Sequence, residues 1–140
     1  MTRSSMTPRV LGIAALTGVA LIAGWVLADA TLNVEIEVAP KVLNLLNNGQ
    51  VVTVHTDLPY GAVDAWTVTL NGVPISSYKS DNRGNFVAKF PIEEVKGLVD
   101  AGDLALGTNT VVLTGLTSDE PAVAFIGTTE IVVVSNGPGK

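Results

Sequence analysis

The chain has no cysteine and only one histidine among its 140 residues. The first absence removes disulfides, thiolate nucleophiles, thioether-held haem and cysteine-ligated metals. The second rules out a two-histidine zinc site and leaves His55 as the sole imidazole for acid or base chemistry. Aromatic residues are scarce, at 5% of the sequence, so there are few surfaces on which a sugar or base could stack. Cations are scarce too. Between Thr31 and Lys140, six Lys/Arg stand singly among twelve Asp/Glu. A polyanion binder needs clustered cations to displace counterions, so nucleic acid is not an expected partner. No Asn-x-Ser/Thr acceptor for N-glycosylation and no Gly-x-Ser-x-Gly nucleophile elbow occurs.

What the chain does have is one long apolar run, Val10–Leu27, of eighteen uncharged residues with Arg3 and Arg9 ahead of it. Cations before an apolar segment hold the N-terminus inside, so the residues from about Thr31 onward are expected in the periplasm or on the cell surface. Two fates for the run stay open. Ala28-Asp29-Ala30 fits the small-x-small cleavage site of a signal peptide, while the run is longer than the usual h-region of about 7–15 residues. As a helix it would measure about 27 Å, near the ~30 Å hydrocarbon thickness of a bilayer, with Trp25 at the outer interface. Residues 1–30 are therefore read as a signal peptide or an uncleaved single-pass transmembrane anchor. Gly12, Gly18 and Gly24 in the run lack Gly-x3-Gly spacing and suit a leader as well as a helix contact.

Residues 31–140 have the size of one domain, and their hydrophobic pattern is that of strands. Val34, Ile36 and Val38 alternate with Asn33, Glu35 and Glu37, and Ala39-Pro40 ends that strand. Val51–Leu58 follows the Asn47-Asn48-Gly49 turn. Trp66, Val68 and Leu70 share one face of the next strand, which places Trp66 in the core. Asn71-Gly72 suits a type I′ turn, and Phe86, Ala88 and Phe90 line an inner face. Pro91–Val99 breaks the alternation: acids near the start and Ile92, Val95 and Leu98/Val99 at helical spacing predict a short helix crossing between sheets. After a loop over Asp100–Asn109, Thr110–Leu116 and Ala122–Val134 supply the last strands. About seven short strands separated by turns predict an all-β fold: an immunoglobulin-like antiparallel β-sandwich with one short crossover helix.

The order Val42-Leu43-Asn44-Leu45, VVTVHTDLP (Val51–Pro59), AWTVTLNG (Ala65–Gly72), FVAKF (Phe86–Phe90), TVVLTG (Thr110–Gly115) and Phe125–Val133 resembles an exported immunoglobulin-like module of bacterial and archaeal surface proteins. The resemblance implies the sandwich fold. In such modules the stretch before the fourth strand is often an Asp-rich calcium-type loop, and the matching segment here is Ser80–Phe86. Calcium takes six to eight oxygen ligands, largely carboxylates. The segment offers one carboxylate, Asp81, with Asn82, Asn85 and the opposing Arg83. Asp81 and Asn85 are the candidate Ca²⁺ ligands, and a plain hairpin turn is the competing account; no metal, cofactor or catalytic residue is otherwise assigned.

His55 lies in a strand on the parity of Val51, Thr53 and Asp57, where a solvated position explains it. Glu35/Glu37 read as a wet strand face, Glu93/Glu94 as a helix N-terminus and Asp119/Glu120 as a turn. Without a legible nucleophile and base, the expectation is a non-catalytic extracytoplasmic structural or interaction module. Other proteins would be its partners through sheet faces or loops, and with the apolar run retained it would be an accessory subunit of a membrane-associated assembly. The alternative is a carbohydrate or cell-envelope-binding module, for which Tyr60, Tyr78 and Trp66 are the available aromatics. A pocket gathering His55 with carboxylates would reopen the enzymatic reading.

Overall fold

In a computed structural model that describes residues 30–136, two β-sheets form a sandwich-like, all-β unit with one α-helix among the described residues. The run Val10–Leu27 lies outside the described residues, within which no helix is long and apolar enough to cross a membrane. The strands in chain order are β1 (Leu32–Asn33), β2 (Ile36–Ala39), β3 (Val42–Asn44), β4 (Val51–Pro59), β5 (Val63–Leu70), β6 (Val73–Pro74), β7 (Ser77–Ser80), β8 (Asn85–Pro91), β9 (Gly107–Thr117) and β10 (Ala124–Val134). The larger sheet has the order β1-β10-β9-β5-β6, with β3 also on β10, and the smaller has the order β2-β4-β8-β7.

Period-two alternation decides which side chains enter the core. Along β4, Val52, Val54, Thr56 and Leu58 are buried while His55, Asp57 and Val51 face water. Phe86, Ala88 and Phe90 on β8 are fully buried as expected, facing Val111 and Leu113 of β9 and Phe125 of β10 across the same core. Thr56 is the polar member of this layer on β4. It sits where the β4–β8 register shifts between His55 and Pro59. Its hydroxyl donates to the Phe86 carbonyl at 2.7 Å and accepts the Leu58 amide at 3.2 Å, replacing ladder bonds lost at the irregularity.

The strand that carries Val34, Ile36 and Val38 is divided between the two sheets. β1 runs parallel to β10, with Leu32 opposite Phe125. The chain then crosses to pair antiparallel with β4, Glu37 opposite His55, before β3 returns to β10 with Val42 opposite Val132. Gly127 leaves room for the crossing, since a Cβ there would stand 2.6 Å from Ile36 Cγ2 and 3.0 Å from the Val34 carbonyl oxygen. Alternation continues unbroken through the switch, so the pattern of apolar residues does not reveal it.

The Asn71-Gly72 turn has φ values of 48° and 86°, and the Asn71 side chain accepts the Val112 amide of β9 at 2.7 Å. Strand β7 lies where the sequence pattern gives no strand; it forms the edge of the smaller sheet. Helix α1 (Ile92–Asp100) leads from β8 of the smaller sheet to β9 of the larger, the crossover expected from the Ile92, Val95 and Leu98 spacing. Its first turn carries Glu93 and Glu94, which favour the positive end of the helix dipole. Gly102, at φ 85°, ends it, and the Asp103 amide returns to the Leu98 carbonyl at 2.9 Å. Leu104 tucks into the core from the following loop, and β9 starts at Gly107, earlier than the apolar pattern marks it.

Candidate functional site

Trp66 is not in the core. It is 68% exposed, and a bulge in β5 is the reason. Asp64 pairs with Leu116 of β9 and Thr69 with Thr114, so four β5 residues, 65–68, stand opposite Gly115 alone. The three extra residues are an odd number and reverse the parity of the strand. Val63 and Ala65 point inward before the bulge, Val68 and Leu70 after it, and Trp66 is left outside. Thr67 keeps the bulge hydrogen-bonded, its hydroxyl donating to the Asp64 carbonyl at 2.6 Å and accepting the Leu116 amide at 2.9 Å. The indole is therefore carried on a braced segment of a sheet.

Across the open side of the sandwich, Trp66 meets Tyr78 of the opposite sheet edge to face, with ring centroids 5.5 Å apart and planes at 83°. Tyr78 is half-buried and stacks on Phe86 at 5.8 Å and 26°. Tyr60 closes the group, 6.1 Å from Tyr78 and 6.5 Å from Phe86. These rings border an open cleft of about 440 Å³ whose polar rim includes Asp64 and Ser118. The one described tryptophan and both tyrosines of the chain thus converge, although they come from β5, β7 and the 3-10 turn Tyr60–Ala62. That turn is held from two directions. The Tyr60 amide donates to the Gly84 carbonyl at 2.8 Å, and the Ser118 hydroxyl donates to the Gly61 carbonyl at 2.8 Å.

The Gly84 carbonyl belongs to the segment that resembles a calcium-type loop. There Asp81 Oδ1 accepts the Arg83 amide at 2.8 Å and the Asn85 amide at 2.9 Å, while the Gly84 amide donates to the Asp81 carbonyl at 3.0 Å. The carboxylate serves the turn itself, in the manner of an Asx turn. Among the described residues no group of three or more His, Asp or Glu side chains is placed to hold a metal ion. The Asn85 amide bond, with smaller help from the Arg83 amide and guanidinium, holds the Asp81 carboxyl below its ordinary 3.8.

A group whose folded pKa is depressed stabilises the fold above its unfolded pKa and loses that contribution as pH falls through the folded value. Asp81→Ala is accordingly expected to lower the melting temperature at pH 7 and to loosen Tyr60. The gap from the parent should narrow as pH falls below the ordinary Asp value of 3.8. Thermal melts of both proteins from neutral into acid pH check it; a gap that stays the same throughout would rule out the carboxylate charge as the source.

A second depression, of about 650 Å³, lies on the outer face of the smaller sheet and brings His55 together with Glu35, Glu37, Asp57 and Asp81. It is the gathering of the histidine with carboxylates that the enzymatic reading requires. Glu37 is the direct cross-strand neighbour of His55. Two of the acids are already engaged with backbone: Asp81 as described, and Asp57, whose Oδ1 accepts the Glu35 amide at 3.1 Å. The hydroxyl lining this groove, that of Thr56, is committed to Phe86 and Leu58. Lys41 and Arg83 at its margin offset part of the negative charge. The arrangement supplies an imidazole, carboxylates and an amine, and its one hydroxyl is already committed to backbone. Asp119 and Glu120 are exposed in the loop before β10, and Glu93 pairs with Lys96 at 3.4 Å.

The alternation Val63, Ala65 on odd numbers and Val68, Leu70 on even ones is the sequence signal for the bulge, and it exposes Trp66 once it is counted. The chain matches no protein-family model, no curated protein and no solved structure.

Proposed function

We propose that this chain is a non-catalytic extracytoplasmic interaction module, an immunoglobulin-like sandwich placed outside the cytoplasm by Val10–Leu27 and presenting an aromatic contact surface. The immunoglobulin-like assignment is supported by two facing sheets, antiparallel pairing in the smaller, and a first strand shared between both. With the apolar run retained, the N-terminus lies inside and the domain is an accessory subunit of a membrane-associated assembly.

The observation that carries this reading is Trp66. A tryptophan left two-thirds in water, on a strand segment braced by Thr67, is a residue kept for contact, because its burial within the domain would otherwise be favourable. Tryptophan and tyrosine are the residues that most often dominate binding at interfaces. Trp66→Ala is expected to lower the melting temperature by only a few degrees, through loss of the edge-to-face contact with Tyr78. It should weaken retention of co-purifying envelope components by about 2 kcal/mol, or roughly thirtyfold. Affinity purification of parent and variant from detergent-extracted envelopes checks this. Equal recovery of every component by the two proteins would overturn it.

A further inference from the structure

The cleft between Trp66, Tyr60 and Tyr78 has a chemistry that narrows its occupant. Its aromatic faces carry the negative side of the ring quadrupole, which attracts the weakly positive C–H groups on the faces of a pyranose ring. Its rim holds hydrogen-bonding groups suited to hydroxyls: the Asp64 carboxylate, the Ser118 hydroxyl and the Tyr60 phenol. No Lys, Arg or His lines it, so a phosphorylated, sulfated or uronic-acid ligand would meet an uncompensated carboxylate. An acyl chain would need an enclosed apolar tunnel, whereas this cleft is open and its rim is polar. A nucleic-acid strand would likewise need cations that the lining lacks.

We infer that the aromatic cleft is a binding site for a neutral saccharide, with Trp66 as the stacking platform, Tyr60 as the flanking ring and Asp64 as the hydroxyl acceptor. Tyr78 acts as a positioning residue: its ring is sandwiched between Phe86 and Trp66 and fixes the tilt of the indole. This inference rests on the interaction-module reading above and names the chemical class of one of its ligands.

The test uses the full chain in lauryldimethylamine oxide, a detergent without a sugar headgroup, on a Trp25→Phe background that leaves Trp66 the sole tryptophan. Cellohexaose, N-acetylchitohexaose and maltohexaose are titrated separately while indole emission is followed. A saturable change with at least one of the three is expected. Tyr60→Ala and Asp64→Ala should each weaken it by about tenfold or more, and Tyr78→Phe, which keeps the ring, should bind as the parent does.

Absence of a saturable change with all three sugars up to about 10 mM, well above the weakest useful affinity, would overturn the saccharide assignment. If Trp66→Ala nonetheless loses envelope components, the interaction reading stands and the cleft is a protein contact. If no sugar binds and component recovery does not depend on Trp66, both fall. Melting curves of each variant separate loss of binding from loss of fold.

Discussion

Phe86→Ala is expected to cost about 3–5 kcal/mol of folding stability, the range for removing a buried aromatic ring. Phe86 is 0% exposed and stands between the two sheets, so no solvent can fill the space it leaves without wetting the core. Against a total of about 5–15 kcal/mol for a domain of this kind, that is a large share. The melting temperature should fall by roughly 10–20 °C. Urea titration of parent and variant measures the difference directly, with an unchanged m-value marking a simple loss of stability. A cost below about 1 kcal/mol would mean the site had collapsed around the gap, contrary to a close-packed core. The same change reaches the cleft, because Tyr78 stacks on this ring and Trp66 leans on Tyr78. Indole emission of the folded variant should therefore shift even though Trp66 is untouched.

Gly115→Ala is expected to destabilise by about 1–3 kcal/mol through overpacking. The added Cβ would stand 2.6 Å from Phe125 Cζ, 2.9 Å from Phe125 Cε2 and 3.0 Å from Val68 Cγ2. Neither neighbour can swing aside into water, since both are 1% exposed. Because Val68 closes the bulge that carries Trp66, the strain should also disturb the aromatic cleft. Phe125→Leu removes the ring atoms nearest the new methyl, so the double variant should recover part of the loss. A cycle of the two single and one double variant should return a coupling of about 1 kcal/mol or more. Strict additivity would show that the ring is not what the methyl meets.

Much of the architecture was legible because alternation and turn chemistry are local. The inward set Phe86, Ala88 and Phe90, the Asn71-Gly72 turn and the crossover helix all follow from short-range rules, and each stands where those rules put it. What escaped was set by pairing between distant strands. The sheet switch after Asn33 depends on Gly127, over ninety residues away, and leaves the alternation of Val34, Ile36 and Val38 intact. Extending the parity of Val68 and Leu70 backward places Trp66 in the core, because it runs across a bulge that the change of parity after Ala65 signals and the β9 register locates. A buried Trp66 weakens the carbohydrate-binding alternative, since Tyr60 and Tyr78 without it make a poor surface. The His55 groove escaped for a related reason: Asp81 lies far from His55 in sequence and approaches it through the β4–β8–β7 neighbourhood.

The parallel pairing of β1 and β3 with β10 has a mechanical meaning. Leu32 lies beside Phe125 at the start of β10 and Asn44 beside Val134 at its end. The two ends of the folded chain therefore leave from opposite poles of the domain. Tension applied between them acts along the strands and loads the flanking hydrogen bonds together, in shear, rather than peeling them one by one. A domain tethered at one pole and engaged with a partner at the other would extend little before it yielded, then yield abruptly.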